Sequence, residues 1–301
     1  MSNKTITVIG SINMDLVTST NRVPNMGETV LGESFHTIPG GKGANQAVAA
    51  AKLGAVTTMI GCVGDDAFGQ ELVKHLQNQG VNTDYVKPVT HRSTGIASIT
   101  LSDGDNSIIV VPGANYQVTP DIVSSYEEVI SNSDILLLQL EIPIESVERA
   151  IELAKKHQVM VILNPAPIQA LSKSLLQKVD YITPNEHEQQ FLLESEEWSD
   201  SERKEMLKKC IITMGAKGVK FYRDGERNIS SYKVETVDTT GAGDSFNGAL
   251  AFALSNGEQL EEACRFANAV AALSVTKLGA QSGMPTLKEV QTFLQKQQRD
   301  E

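Results

Sequence analysis

The sequence predicts an α/β protein in which a mostly parallel sheet lies between helices on both faces. Three observations support this fold class: apolar runs of strand length, helical periodicity between them, and glycines just after two of the predicted helices. Asp134–Leu140 (DILLLQL) is the clearest apolar run, as expected for a strand covered on both faces. Because strands and helices alternate along the chain, the strands are expected to run parallel.

The predicted elements occupy much of the chain. Strands are assigned to short apolar runs, and most helices to segments in which apolar residues recur every three or four positions. In chain order they are a strand at Thr5–Gly10, a helix at Gly43–Leu53, a strand at Val56–Val63, a helix at Asp66–Gln79, a strand at Asp134–Leu140, a helix at Pro143–His157, strands at Val159–Leu163, Tyr181–Thr183 and Ile211–Met214, and a helix at Asn247–Leu254. We interpret residues 1–301 as one domain.

Two regions break this alternation. Met14–Ile38 has no helical period, and Thr94–Val111 alternates polar and apolar residues before a turn at Ser102–Asn106, which is typical of a hairpin. Such strands could form a small β-sheet lid over the edge of the main sheet, or they could simply extend it. A detached lid, drawn from about 14–38 and 94–111, would expose sheet edges and apolar side chains, which predicts a homodimer through the lid.

The composition disfavours several classes of protein. Hydrophobic residues make up 41% of the 301 residues, and no run approaches the ~18 apolar residues of a membrane span, so neither a disordered chain nor a membrane protein is predicted. With 26 Lys and Arg against 37 Asp and Glu, the net charge of −11 disfavours nucleic acid or anionic membranes as partners. The odd, widely spaced cysteines Cys62, Cys210 and Cys264 form no disulfide or zinc pattern and favour a cytoplasmic location.

Several common catalytic motifs are missing. The first strand ends with one glycine, Gly10, where a dinucleotide fingerprint needs three. The glycines of Gly27–Ser34 have the spacing of a phosphate loop, but Glu33 stands where that loop needs lysine and would repel phosphate. The sequence also lacks HExxH, GxSxG and any Cys/His cluster with metal-ligand spacing.

The most informative segment is Val237–Phe246 (VDTTGAGDSF), which leads into a predicted helix. Backbone N–H groups at a helix N-terminus attract anions, and Gly241 and Gly243 would let a bulky anion approach them without meeting a Cβ. Asp244 lies in the first turn beside them, which suggests a base next to a phosphate site. An ordinary N-cap in a glycine turn explains the same residues equally well.

Two further segments suggest a ligand rich in hydroxyl groups. Ile38–Gln46 (IPGGKGANQ) also opens a helix, and its Lys42 and Asn45 could donate hydrogen bonds, although a solvated turn is the simpler alternative. Asn13 and Asp15 follow the first strand, at the sheet edge where α/β proteins bind ligands. Two residues apart in an extended segment, they face the same way and could bond adjacent hydroxyls.

Two of these segments resemble the signatures of a known family. Gly40–Gln46 (GGKGANQ) and Asp238–Asp244 (DTTGAGD) are similar to the two motifs of the ribokinase-like (PfkB) carbohydrate kinases, in the same order and about 200 residues apart. The resemblance covers essentially the whole chain, and Asn13–Asp15, Gln46 and Gln139–Glu141 are most similar to the ribose-specific subgroup. It implies a Rossmann-like three-layer α/β/α core with a β-sheet lid. The implied activity is ATP-dependent phosphorylation of D-ribose at O5, giving ribose 5-phosphate and ADP.

The resemblance also implies roles for individual residues. Asp244 would be the general base, beside an anion hole formed by the N–H groups of Gly241, Ala242 and Gly243. The residues implied to bind the sugar, in addition to Asp244, are Asn13, Asp15, Gly41, Lys42, Gly43, Asn45 and Glu141. Those implied to bind ATP are Asn185, Thr213, Gly215, Ala216, Lys217, Gly218, Gly243 and Asn268.

Two cations are implied in the same way. Glu188, in an Asn-x-x-Glu motif with Asn185, would help to place Mg²⁺, usually through water. The residues implied to bind an activating K⁺, mostly through backbone carbonyls, are Asp238, Thr240, Ser274, Lys277, Gly279 and Gly283. Relatives commonly carry serine where this chain has Gly283, so we expect Gly283→Ser to tighten K⁺ binding.

Two alternatives to a ribose kinase stay open. One is a kinase for another small sugar or nucleoside, such as deoxyribose or adenosine, and the other is a noncatalytic sugar or nucleotide sensor on the same fold. Asp15 distinguishes ribose from deoxyribose, because a ligand without the 2-hydroxyl leaves that carboxylate with fewer partners. The intact Asp244 and its two neighbouring glycines argue against the sensor.

Overall fold

The computed structural model describes residues 4–102, 105–223 and 225–300. Most predicted elements are present, with ends shifted by one or two residues. The strands are β1 (Thr5–Ile9), β2 (Asn13–Ser19), β3 (Ser34–Gly40), β4 (Val56–Gly64), β5 (Val81–Val89), β6 (Gly95–Ser102), β7 (Asp105–Val111), β8 (Ile135–Leu138), β9 (Met160–Leu163), β10 (Tyr181–Ile182), β11 (Ile211–Thr213), β12 (Val219–Tyr222) and β13 (Glu226–Ile229).

The helices lie mainly between these strands. They are α1 (Lys42–Lys52), α2 (Ala67–Asn78), α3 (Pro120–Ser125), α4 (Glu127–Ser131), α5 (Ile144–Lys156), α6 (Lys173–Lys178), α7 (Glu186–Glu194), α8 (Asp200–Lys209), α9 (Ala242–Ser255), α10 (Leu260–Ser274), α11 (Ala280–Gly283) and α12 (Leu287–Asp300). Pro143, predicted in the first turn of its helix, is the N-cap residue of α5. Among the residues that the structure describes, no helix is long and apolar enough to cross a membrane.

The main sheet contains six parallel strands in the order β10-β9-β8-β1-β4-β5. Each face of the sheet buries its own apolar cluster, and alternate side chains of β8 belong to the two clusters. Ile135 and Leu137 pack with α1, α9 and α10, whereas Leu136 and Leu138 pack with α3 and α5. Because helices cover both faces, all four residues of β8 are buried, which explains the continuous apolar run in the sequence.

A second, antiparallel sheet continues the main one at the β10 edge. Its strands run in the order β11-β12-β13, and isolated parallel bridges join Ile182 to Cys210 and Asn185 to Thr213. The predicted strand at Ile211–Met214 therefore exists as β11, but its partner within the sheet, β12, is antiparallel.

The remaining strands form a sheet of their own, in the order β3-β2-β6-β7. β2 pairs with β3 antiparallel and with β6 parallel, and β6 pairs with β7 antiparallel. The sequence left open whether these strands extend the main sheet or form a separate one, and the structure shows a separate sheet. The turn predicted at Ser102–Asn106 includes Asp103 and Gly104, which lie outside the described residues. All seven residues of the edge strand β7 are exposed, including Ile108–Val111.

Candidate active site

Helices α1 and α9 pack against each other and bring the two predicted signatures together. Asn45, on α1, and Asp244, in the first turn of α9, are 199 residues apart in the chain, yet the Asn45 Nδ2 atom donates a hydrogen bond of 2.9 Å to Asp244 Oδ2. Gly241 precedes α9 in the left-handed region with φ 75°, which favours glycine. The two motifs therefore form one site.

Asp244 is the buried centre of this site, only 7% exposed. Besides the bond from Asn45, its Oδ1 atom accepts a hydrogen bond of 2.9 Å from Gln46 Nε2. Burial raises the pKa of Asp244 above the usual range for Asp, although Lys42 and the two amide donors oppose the shift. A carboxylate with a raised pKa is a stronger proton acceptor than a solvated one, as a general base requires.

Three charged residues predicted to bind the sugar, Asp15, Lys42 and Glu141, interact electrostatically with Asp244. Asn13 and Asp15 come from β2, Lys42 from the start of α1, and Glu141 from the segment after β8. The Lys42 N–H donates a hydrogen bond of 3.1 Å to Glu141 Oε2, and the Ser11 hydroxyl donates to the same oxygen. Glu141 is thus held against the N-terminus of α1 by backbone as well as side-chain donors.

The pKa values of Asp15 and Lys42 are shifted by burial and by the charged groups around Asp244. Burial, Glu141 and Asp244 raise the pKa of Asp15 to about 7. Burial alone would lower the pKa of Lys42, but the carboxylates, led by Asp244 and Glu141, hold it above its usual range. The positive charge of Lys42 is therefore stabilised by the nearby carboxyl groups of Asp244, Glu141, Glu188 and Asp15, and it is placed to attract an incoming anion.

The glycines of the two motifs differ in what they contact. A Cβ on Gly41 would lie 2.7 Å from the backbone N of Asn13, and one on Gly43 would lie 2.7 Å from the backbone of Gly10 and Ser11. Both glycines let α1 pack on the chain between β1 and β2, rather than opening a path to a ligand. A Cβ on Gly243 would meet nothing within 4 Å, so that glycine does face open space.

The three predicted anion-hole donors are likewise not equivalent. The Ala242 N–H donates a hydrogen bond of 3.2 Å to the carbonyl of Thr239. A Cβ on Gly241 would approach the side chain of Ala280 to 2.7 Å, whereas Gly243 is open. The Gly243 end of the turn is therefore the accessible part of the predicted anion hole.

A cavity of about 580 Å³ opens beside Gly243. It is lined by most of the predicted ATP residues, namely Thr213, Gly215, Ala216, Gly218, Gly243 and Asn268. Lys217 and Asn185 do not line it, and both are exposed. Asn268 Nδ2 donates hydrogen bonds of 3.3 Å to the carbonyls of Ile229 and Ser230, so this amide holds the cavity wall.

The sequence did not reveal several residues of this site. Ser231–Val234 and Phe246 also line the cavity, but the loop segment carries no recognisable pattern. Asn115 donates a hydrogen bond of 2.6 Å to Asn13 Oδ1 from a 3₁₀ turn far away in the chain. A larger cleft of about 820 Å³ near Lys155 and Tyr181 lies at the amino ends of β9 and β10, away from both signatures.

The Asn-x-x-Glu motif begins α7 with a capping box. The Asn185 Oδ1 atom accepts a hydrogen bond of 2.8 Å from the Glu188 N–H, and Glu188 Oε2 accepts one of 2.8 Å from the Asn185 N–H. Burial raises the pKa of Glu188, while Lys42 opposes the shift. The motif therefore has a structural function whatever else it binds.

The predicted cation residues also converge. Asp238 accepts hydrogen bonds of 2.9 Å from the Thr240 N–H and 2.8 Å from the Gly279 N–H, which joins the two segments. A Cβ on Gly283 would overlap the carbonyl oxygen of Ser274 and lie 3.5 Å from that of Lys277. This geometry argues against the expectation that serine at 283 tightens K⁺ binding, because its Cβ would displace a predicted ligand.

Comparison with known proteins agrees with this geometry. The model of the pfkB family of carbohydrate kinases matches residues 3–287. The chain is 49% identical to a ribokinase of Bacillus subtilis (97% of this chain, 99% of the relative) and 38% identical to a deoxyribokinase of Salmonella typhi (96% and 98%). It is 35% identical to the structure of Arabidopsis thaliana ribokinase complexed with ribose and ATP, with a TM-score of 0.89 over 97% of this chain and 99% of that one. The chain belongs to the pfkB family of carbohydrate kinases.

Proposed function

We propose that this kinase transfers a phosphoryl group from ATP to O5 of D-ribose, giving ribose 5-phosphate and ADP. One observation carries the proposal: Asp244 accepts a hydrogen bond from Asn45, a residue predicted to bind the sugar, while its neighbour Gly243 lines the cavity that most of the predicted ATP residues share. The reacting oxygen and phosphorus would therefore meet beside this carboxylate. Similarity to ribokinases over the whole chain supports ribose as the acceptor.

The sugar would be held by side chains suited to hydroxyl groups. Asp15, Glu141 and Asp244 supply carboxylate acceptors, and Asn13, Asn45 and Lys42 supply polar atoms around them. Gly41 and Gly43 would contribute indirectly, by letting α1 approach the chain between β1 and β2. The lid strands β2, β3 and β6 would exclude the water that competes with the sugar for the phosphoryl group.

Asp244 would take the proton of the 5-hydroxyl as that oxygen attacks the γ-phosphorus. The new O–P bond forms as the bond to the ADP oxygen breaks. N–H groups at the start of α9, Gly243 first among them, would stabilise charge on the transferring group, and Lys42 would add a positive charge nearby. The protein thus contributes one proton acceptor and fixed positive charge.

Mg²⁺ would be held mainly by the nucleotide. No three His, Cys, Asp or Glu side chains form a metal cluster in the part of the chain that the structure describes. That fits Mg²⁺, which binds phosphates and water with one or two carboxylates, here Glu188 through water. Bound Mg²⁺ supplies charge neutralisation on the phosphates.

K⁺ would bind between the two segments that Asp238 joins. The donor set fits this ion, because the carbonyl oxygens of Ser274 and Lys277 both lie near Gly283, and Asp238 adds a carboxylate beside Gly279. Thr240, Gly279 and Gly283 would complete the shell. The ion would add positive charge and fix the turn that leads into α9.

We also propose a homodimer through the lid and a cytoplasmic location. The edge strand β7 exposes Ile109 by 66% and Ile108 by 52%, with Val110 and Val111 beside them. Such a row of apolar side chains on an unpaired edge is an expected contact surface. The three cysteines are buried and free, which is compatible with a reducing compartment.

The function is tested by measuring ADP release across pentoses, hexoses and nucleosides, with ³¹P and ¹³C NMR of the product. We expect ribose to give the highest kcat/KM, with phosphate on carbon 5. Preference for 2-deoxyribose would favour the deoxyribokinase relatives instead. ATP binding without ADP release for any acceptor would support the sensor and contradict the proposal.

A further inference from the structure

Gln46 is a fully buried side chain that donates a hydrogen bond to Asp244 but takes no part in the proposed binding of sugar or ATP. Its Nε2 atom donates hydrogen bonds of 2.9 Å to Asp244 Oδ1 and 3.2 Å to Asn164 Oδ1. A side-chain amide has a donor end and an acceptor end, and the wrong end facing Asp244 would repel the carboxylate. Something must therefore fix which end of Gln46 faces the site.

Asn164 fixes this orientation from one side. Its Nδ2 atom donates a hydrogen bond of 3.1 Å to the backbone carbonyl of Thr183. A backbone carbonyl can only accept, so Nδ2 must face Thr183 and Oδ1 must face Gln46. The nitrogen of Gln46 is thereby directed to the position where it also meets Asp244.

Gln139 contacts the other end of the Gln46 amide. Its Nε2 atom donates a hydrogen bond of 2.6 Å to Gln46 Oε1, and both side chains are fully buried. The Oε1 atom of Gln139 has no hydrogen-bond partner among the described residues, which is a costly state for a buried polar atom. That atom lies against Gly10, where a Cβ would overlap it.

We propose that Gln46 is a positioning residue for the general base, its amide oriented by Asn164 and Gln139 so that one N–H locks the carboxylate plane of Asp244. This inference rests on the proposed function. The amides come from α1 and from the carboxyl ends of β8 and β9, which are rigid elements, so the lock is present before the sugar arrives. Lys42, Glu141 and Asp15 are the charged groups that also act on Asp244.

Gln46→Met tests this role, because methionine has nearly the same length and shape but no N–H. We expect a 10- to 100-fold loss of kcat, since a displaced catalytic group is costly, with little change in KM for ribose. The acidic limb of the kcat–pH profile should move to higher pH, because the lost N–H favoured the ionised carboxylate. Thr7→Val is the matched control, since Thr7, in the middle of β1, makes a partly buried hydrogen bond to Ser133 and not to a site residue.

A second readout does not depend on activity. The loss in free energy of unfolding caused by Gln46→Met should grow as the pH rises through the raised pKa of Asp244, because the lost hydrogen bond stabilises the ionised carboxylate most. In an Asp244→Ala background this growth should disappear. A destabilisation that is independent of pH, with an unmoved acidic limb, would contradict the positioning role. A wild-type protein that releases no ADP with any sugar would instead contradict the proposed function.

Discussion

Gln281 donates a hydrogen bond of 2.8 Å from its Nε2 atom to Asn45 Oδ1. Gln281 lies in α11, between Gly279 and Gly283 of the predicted cation segment, and Asn45 in turn donates to Asp244. Lys52 holds the carbonyl of Gln281 with a hydrogen bond of 2.7 Å. Two hydrogen bonds therefore join the proposed K⁺ site to the proposed general base.

This link predicts that K⁺ acts mainly on kcat. Replacing K⁺ with tetramethylammonium at constant ionic strength should lower kcat more than it raises KM for ribose, and Na⁺ should activate less than K⁺. The reason is that the ion orders both the turn before Gly241 and the segment that carries Gln281. An unchanged kcat would mean that Asp238 only joins two backbone segments, and the cation site would have to be withdrawn.

Gly283→Ser should weaken K⁺ activation, because its Cβ would displace the Ser274 carbonyl. The measurement is the K⁺ concentration that gives half-maximal kcat. Gly283→Ala is the matched variant, since it adds the same Cβ without a hydroxyl. If serine lowers that concentration while alanine raises it, the hydroxyl is a ligand and the steric account of Gly283 is wrong.

Asp15 should make ribose binding depend on pH. Its pKa of about 7 lies above the value of 3.8 for a free Asp, so its protonated form contributes stability that is lost as the pH rises through about 7. Ribose hydroxyls donate to the ionised form, so binding should release a proton near neutral pH and be tighter at about pH 8 than at about pH 6. Calorimetry in buffers with different heats of ionisation measures that proton.

The same residue should set the preference for ribose over 2-deoxyribose. A missing hydroxyl leaves the carboxylate partly unpaired at a cost of roughly 1–3 kcal/mol, which corresponds to about 5- to 150-fold in kcat/KM. Asp15→Ala should narrow this ratio, because it should lower kcat/KM for ribose more than kcat/KM for 2-deoxyribose. If the ratio is unchanged in Asp15→Ala, or if calorimetry detects no proton release, a residue other than Asp15 recognises the hydroxyl.

The lid should hold two copies together. Ile109→Lys places a charge on the exposed edge strand β7 and should convert a dimer to a monomer in light scattering at micromolar concentration. Ile168→Lys is the control, since Ile168 is 48% exposed but lies outside the lid. A wild-type protein that is monomeric with and without ribose would contradict the lid interface.

The core strands and helices could be predicted because each one is specified by residues within it or directly beside it in the sequence. The run around β8 is apolar because helices cover both faces, and the glycine expected after the second predicted helix, Gly80, comes directly after the C-cap residue of α2. The parallel pairing of β2 with β6 joins segments about 80 residues apart, and periodicity carries no information about such partners.

The candidate site was predicted where glycines and polar residues share a motif. Asn115 and Gln281 reach Asn13 and Asn45 from distant turns, so no motif contains them. A glycine in a motif does not by itself show whether it faces a ligand or packs against the chain. Gly43 packs against backbone, whereas Gly243 faces open space, and this difference is visible only in the folded structure.

Single-turnover phosphoryl transfer by Asp244 variants shows whether Asp244 is the general base. Asp244→Ala and Asp244→Asn should still bind ribose and ATP, yet lose about 10²–10⁴-fold in the rate of ribose 5-phosphate formation. Asparagine should also destabilise the protein, because its NH₂ must face a donor on Asn45 or Gln46. A variant that keeps more than about a tenth of the wild-type rate would contradict the assignment of Asp244 as the general base.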